Sequence, residues 1–187
     1  MTEVRSAPTV EELWVRIQSL EAEVGRLARR VPEDQVRILV IGGEFERVHT
    51  ALMLAHAATA LELDAAIYFA MWGVQALRVD APRAGRSAFA RCLNAILAPD
   101  VERLPSGRLN FGGLGPVAFK RLMQKHAIET PGRLLDLAPE MGIELIACPL
   151  SLSLFALEPT DLRPGVQIKG ATSFLEEASR ARFSTVF

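Results

Sequence analysis

The first hydrophobic pattern in the chain is a heptad repeat. Two apolar series run through residues 10–31, each with a spacing of seven: Val10, Ile17, Val24 and Leu13, Leu20, Leu27. This is the a and d pattern of a coiled coil, with Arg16 and Glu21 on flanking g and e positions. Thr9 and Glu12 have capping-box spacing at its start. We predict a disordered tail over 1–9 and an amphipathic or coiled-coil-like helix over 10–31, which either packs on its own domain or mediates self-association.

A different pattern begins after Pro32. The apolar run over residues 36–41 is a strong strand signal, and it ends at Gly42-Gly43-Glu44. A segment rich in Ala and Leu over 45–61 predicts a helix, and residues 65–69 predict a second strand that is followed by Trp72. Strand, helix and strand with short turns form a βαβ unit, which implies parallel strands.

Three further strands complete the predicted sheet. Helical segments over 131–140, 149–157 and 173–180 alternate with strand signals at 143–147, 166–170 and 183–187. The alternation predicts an α/β domain over residues 36–187: an open, mostly parallel five-stranded sheet with helices on both faces. The N-terminal helix precedes this domain.

The middle of the chain is basic. Residues 78–125 contain nine Lys and Arg against three Asp and Glu, together with several Gly and Pro. We predict a mobile basic insertion at about 78–116, close to the edge of the sheet where a site would lie. Its charges form either an ordinary solvated surface or a capture surface for small sulfur anions or an acidic partner.

Composition excludes several classes of protein. A net charge of −1 and a pI of about 6.3 argue against nucleic acid as a partner. Two cysteines without zinc-ligand spacing indicate neither a disulfide framework nor a metal site, and a reducing cytoplasm is expected. Glu62 and Asp64 interrupt the most hydrophobic region, so no membrane span is predicted. We expect no cofactor.

The strongest candidate for chemistry is Cys148. It follows the buried strand signal at 143–147 and precedes Pro149, a residue suited to the first position of a helix. At such a corner, free backbone N–H groups favour the thiolate over the thiol. The alternative is a buried, inert cysteine. Because parallel strands place their carboxyl ends at one edge, we expect Gly42, Gly43 and Trp72 at the same site.

With these stretches identified, the sequence resembles the DsrE/DsrF-like sulfur-relay family, in particular the branch labelled DsrE-like or peroxiredoxin-like. The resemblance covers about residues 36–187 and lies in five stretches: Gly42-Gly-Glu-Phe-Glu-Arg-Val-His-Thr-Ala-Leu, Ile67-Tyr-Phe-Ala-Met-Trp-Gly-Val-Gln-Ala-Leu77, Asn110-Phe-Gly-Gly-Leu-Gly, Ile146-Ala-Cys-Pro-Leu-Ser, and Gly165-Val with Ala171-Thr-Ser-Phe-Leu-Glu-Glu-Ala178. The turn Gly42-Gly43-Glu44 departs from the Ser-Gly-Asp that is usual in the family.

The resemblance implies a flavodoxin-like domain that self-associates into a homo-oligomer. It also implies a sulfurtransferase or sulfur carrier in which Cys148 carries sulfur as a persulfide. Small sulfur anions, or a persulfidated carrier of the TusA-like or rhodanese type, would be its partners. The residues expected to line the site are Gly42, Gly43, Glu44, Trp72, Pro149 and Ser151.

Two alternatives stay open. The chain is a non-catalytic oligomeric assembly module if Cys148 is buried and inert. It is a thiol redox protein if Cys92 serves as the resolving partner of Cys148. A peroxidase of the peroxiredoxin type has Thr three residues before its cysteine, whereas this chain has Leu145, which argues against the second alternative.

Overall fold

The computed structural model describes residues 9–28, 31–79, 97–107 and 114–187. The chain forms two compact units, Met1–Glu33 and Asp34–Phe187. The first unit contains helix α1 (Val10–Ala28). The predicted capping box is confirmed, because the Thr9 N–H donates to Glu12 Oε2 at 2.9 Å and the Glu12 N–H donates to Thr9 Oγ1 at 3.2 Å. Of the tail predicted over residues 1–9, residues 1–8 lie outside the described residues.

The described residues after α1 contain further helices and strands, which alternate along the chain apart from two successive helices. In order they are β1 (Glu33–Val40), α2 (Phe45–Ala60), β2 (Asp64–Phe69), α3 (Leu114–Lys125), α4 (Pro131–Leu137), β3 (Glu144–Ala147), α5 (Pro149–Leu154), β4 (Gln167–Ile168), α6 (Ala171–Arg180) and β5 (Ala181–Val186). Short 3-10 helices occupy Met71–Leu77, Val101–Arg103 and Pro159–Asp161. Among the residues that the structure describes, no helix is long and apolar enough to cross a bilayer.

The sheet confirms the predicted fold class. Its five strands are all parallel and lie in the order β4-β3-β2-β1-β5. This order differs from the 2-1-3-4-5 order of flavodoxin itself. The register places Val40 beside Phe69, and Phe69 beside Ala147. The carboxyl ends of β1, β2 and β3 therefore lie level with one another at one edge.

The two faces of the sheet are packed differently. One face carries the main core, in which β1, β2 and β3 pack against α2 and α4. The other face carries a small cluster of buried residues from β2 and β3, against which Phe174 of α6 packs. Helix α6 contains no fully buried residue. This second face is therefore covered more thinly than the first.

Several predicted boundaries need correction. Strand β1 begins at Glu33 rather than at residue 36, and α6 begins at Ala171 rather than at residue 173. The segment after β2 forms a 3-10 helix where a short turn was predicted, because the Gly73 N–H bonds back to Ala70 O at 2.9 Å. Most of the predicted basic insertion, including Cys92, lies in 80–96 and 108–113, outside the described residues.

Candidate functional site

Cys148 lies at the corner between β3 and α5, as the sequence predicts. It is the N-cap of α5 with an extended backbone (φ −73°, ψ 119°), and Pro149 is the first helical residue. Its backbone N–H donates to Phe69 O at 3.0 Å, and its carbonyl accepts from the Leu152 N–H at 3.1 Å. The corner is thus fixed both to the neighbouring strand β2 and to its own helix.

The side chain of Cys148 lies on the thinly covered face of the sheet. It clusters with Ala66, Tyr68 and Ile146, and only 8% of the residue is exposed. Phe174 of α6 stacks on the Tyr68 ring with centroids 4.8 Å apart. The thiol therefore lies beneath α6, close to the rim where the next residues of the chain, Pro149 and Leu150, are exposed. It is neither fully solvated nor deep in the main core.

Hydrogen-bond donors around Cys148 favour its thiolate. Burial by itself raises the pKa of the thiol, but the hydroxyls of Tyr68 and Ser151 and the backbone N–H groups of Ser151 and Leu150 outweigh it, so that the pKa lies below the ordinary value of 9.0. The Ser151 hydroxyl already accepts from the Met71 N–H at 2.7 Å. Its own proton is therefore available to the sulfur.

Tyr68 is a member of the site that the sequence analysis missed. Only 2% of it is exposed, and its hydroxyl forms no hydrogen bond with an oxygen or nitrogen atom of the described residues. Burial raises the pKa of Tyr68, and the Cys148 thiol raises it further. An available signal was that this residue, the only tyrosine of the chain, interrupts an otherwise apolar strand. Burying a hydroxyl is costly unless it has a partner, and the interaction with the Cys148 thiol is the one that the described residues offer it, so its position calls for a functional explanation.

Pro149 and Ser151 lie at the cysteine corner as predicted, whereas the other four predicted site residues lie around a separate cavity. Gly42, Gly43, Glu44 and Trp72 line a space of about 500 Å³ beside Gln75, and Cys148 is not among its lining residues. The Gln75 side chain is buried, and it accepts from the Ala98 N–H at 3.0 Å and donates to Gly43 O at 3.4 Å. A Cβ atom on Gly43 would lie 2.9 Å from the Trp72 carbonyl oxygen and 2.0 Å from Nε2 of the buried Gln75, so this turn requires a glycine for close approach.

Two contacts connect the cavity with the cysteine corner. The backbone of Met71 bonds to the Ser151 hydroxyl, and the half-exposed Trp72 ring packs on Phe155 with centroids 4.9 Å apart. Met71 itself has a left-handed backbone (φ 47°), an uncommon conformation for a residue other than glycine. The structure therefore brings the strand ends together, but the Cys148 side chain lies on the face covered by α6 and does not line the Trp72 cavity.

The predicted Glu44 has local partners. It is the N-cap of α2, its side chain makes no capping hydrogen bond, and it pairs with Arg47 at 3.4 Å. Within the described parts of the chain, no group of three His, Cys, Asp or Glu side chains is arranged to hold a metal ion. The nucleophilic group at this corner is the Cys148 thiol, whose thiolate the surrounding donors favour.

The fold and this cysteine corner fit the comparison with known families. The model of the DsrE/DsrF/DrsH-like family matches residues 32–185, so the chain belongs to this sulfur-relay family and the resemblance found in the sequence is confirmed. Helix α1 lies outside the match.

Two known proteins illustrate the relationship. The uncharacterized protein YrkE of Bacillus subtilis (strain 168) is 26% identical over 142 residues, which cover 75% of this chain and 89% of YrkE. The crystal structure of YchN from E. coli is similar with a TM-score of 0.50 and 14% identity, over 82% of this chain and 98% of that chain. The likeness to YchN shows the fold alone.

Proposed function

We propose that this protein carries sulfane sulfur as a persulfide on Cys148. The observation that supports the proposal most directly is the position of the thiol at the N-cap of α5, in one buried cluster with Tyr68, where a nearby set of hydroxyl and N–H groups lowers its pKa. The same set can stabilise a thiolate before transfer and the anionic persulfide after it. Membership of a sulfur-relay family supports sulfur transfer as the reaction class.

The transfer is balanced without an external oxidant. The Cys148 thiolate attacks the outer sulfur of a donor persulfide, R–S–SH. A new S–S bond forms at Cys148, the donor's S–S bond breaks, and the donor leaves as the thiolate R–S⁻. Delivery to an acceptor is the reverse reaction with a second thiolate. With thiosulfate as the donor, the leaving group is sulfite. Small sulfur anions and a persulfidated carrier of the TusA-like or rhodanese type are therefore the proposed partners.

A donor reaches Cys148 when α6 moves. The helix covers the cysteine cluster through Phe174, yet none of its residues is fully buried. It is held by the ion pair between Glu177 and the buried Arg37, with Nε and Oε2 2.9 Å apart. Few buried contacts mean that a local opening has a low free-energy cost. Opening of α6 exposes the thiol, and closure shields the persulfide from water and from other thiols.

Intact-protein mass spectrometry tests the proposal. After incubation with polysulfide or thiosulfate and removal of excess reagent, the wild-type protein gains the mass of sulfur, and a Cys92→Ser control gains the same amount. Cys148→Ser gains none. Tyr68→Phe keeps the site of attachment but loads more slowly at neutral pH. Equal loading of wild-type and Cys148→Ser protein would disprove the proposal.

One observation favours a second function, that of a non-catalytic assembly module. Cys148 is only 8% exposed, as an inert structural cysteine would be. Alkylation kinetics of the native protein separate the two functions. A carrier thiol reacts with iodoacetamide faster as the pH rises through its lowered pKa, and it reacts faster still after Phe174→Ala loosens the cover. A structural thiol reacts only when the whole protein unfolds. The alkylation rate of Phe174→Ala then differs from that of wild type only as far as the substitution changes the free energy of unfolding.

A further inference from the structure

We propose that helix α1 pairs with α1 of a second copy of this chain as a parallel two-stranded coiled coil. The apolar seam of α1 is exposed along its whole length. The six seam residues are between 45% and 71% exposed: Val10, Leu13, Ile17, Leu20, Val24 and Leu27. A continuous apolar stripe of this kind on a 19-residue helix marks an interaction surface. This inference is independent of the sulfur chemistry.

The identity of the seam residues sets the number of helices in the coiled coil and their relative direction. All a positions of the helix are β-branched (Val10, Ile17 and Val24), and all d positions are leucine (Leu13, Leu20 and Leu27). In coiled coils, β-branched residues at a with leucine at d favour parallel dimers over trimers and tetramers. The occupant that fits this surface is therefore an identical helix in the same direction.

Charge complementarity supports the same occupant. In a parallel dimer, the residue at g faces the residue at e of the following heptad in the partner, so Arg16 of each copy faces Glu21 of the other. Two attractive pairs form and no like charges are opposed at these positions. In the antiparallel alternative, g positions face each other and Arg16 would meet Glu23 instead. The charges thus give each arrangement a distinct partner for Arg16.

Seam disruption is the first test, and the chain provides a matched control. Leu20 occupies a d position, whereas Val15 is an equally apolar residue at f, 68% exposed and off the seam. In sedimentation equilibrium of the full chain, Leu20→Glu is expected to weaken self-association at least tenfold. Val15→Glu is expected to leave it unchanged. Equal behaviour of the two variants, whether both associate or both dissociate, would overturn the proposal.

Disulfide trapping tests the direction of the helices. In a Cys92→Ser/Cys148→Ser background, a single cysteine is introduced by Leu13→Cys at d or by Gln18→Cys at b. A parallel dimer juxtaposes the two copies of residue 13, so mild oxidation cross-links Leu13→Cys rapidly. Gln18→Cys faces outward and cross-links only by random collision. Absence of cross-linking at residue 13, or equal rates at the two positions, contradicts a parallel pair.

Charge reversal completes the test and can be read even if the α/β unit also self-associates. Arg16→Glu weakens association several-fold, measured by sedimentation equilibrium of the full chain and, for the parallel pair, also as the cross-linking rate of Leu13→Cys. Adding Glu21→Arg restores it in a parallel dimer. If Glu23→Arg restores association and Glu21→Arg does not, the helices are antiparallel and the proposed arrangement is wrong. If neither restores it, the partner is not a second α1.

Discussion

Replacing Tyr68 by phenylalanine tests the role of its hydroxyl in both stability and thiol chemistry. The change removes one oxygen atom and keeps the ring that stacks on Phe174. The hydroxyl is buried and its neighbour is the Cys148 sulfur. A protonated thiol is a weak acceptor, so at low pH the hydroxyl recovers little of the roughly 1–3 kcal/mol that burying a polar group without a partner costs. We therefore expect Tyr68→Phe to be more stable than wild type there, by about 1 kcal/mol, a factor of roughly five in the unfolding equilibrium.

At higher pH, the stability difference between the two proteins changes sign, and wild type becomes more stable than Tyr68→Phe. Because the pKa of Cys148 in the folded protein is below the 9.0 of an ordinary thiol, the folded state loses its proton first and wild-type stability rises with pH up to about 9.0. Part of that rise is the bond from the Tyr68 hydroxyl to the thiolate. A hydrogen bond to a charged group contributes about 1.5–3 kcal/mol. Between the thiol pKa of the folded protein and pH 9.0, the stability of wild type relative to Tyr68→Phe therefore rises by about 1.5–3 kcal/mol.

Urea unfolding at a series of pH values on both sides of the thiol pKa measures both effects. Cys148→Ser is the control, because it removes the ionisation and is expected to flatten the pH dependence in this range. A Tyr68→Phe variant that is less stable than wild type below the thiol pKa would show that the hydroxyl has a good partner. If the unfolding free energies of wild type and Tyr68→Phe differ by the same amount at every pH, the Tyr68 hydroxyl does not bond to the thiolate.

Three further predictions concern single substitutions away from the cysteine itself. Gly73→Ala places a Cβ atom 2.3 Å from the Val40 carbonyl oxygen and should destabilise the protein by about 1–3 kcal/mol in urea unfolding, whereas Gly25→Ala, with open space around it, should raise the helicity of α1. Burial raises the pKa of Glu102, but bonds from Lys120, Thr130 and the Gly132 N–H outweigh it, so the pKa lies below 4.5. A lowered carboxyl pKa contributes stability that is present above 4.5 and is lost as the pH falls. Glu102→Gln should therefore show a shallower loss of stability on acidification than wild type.

The cysteine corner could be predicted because its signals are adjacent in sequence. The apolar run before Cys148 indicates a strand, and Pro149 fixes the start of a helix whatever the rest of the fold does. The capping box at Thr9 and Glu12 was predictable for the same reason, since both bonds span only three residues. The 3-10 helix after β2 was not predictable, because its conformation depends on close contact between Gly73 and the Val40 carbonyl at the end of β1.

The sequence by itself determined the sequence-local features: the heptad seam of α1, the alternation of strands and helices, and a cysteine placed at a strand-to-helix corner. Periodicity and turn chemistry act between near neighbours, so these features can be recognised in one dimension. Only the tertiary structure decided what surrounds the sulfur. Tyr68 meets Cys148 because β2 and β3 pair in one register, and Arg37 meets Glu177 across 140 residues. A register shift of one residue would turn Tyr68 or Cys148 to the opposite face of the sheet. The site therefore depends on strand pairing that the local sequence pattern does not encode.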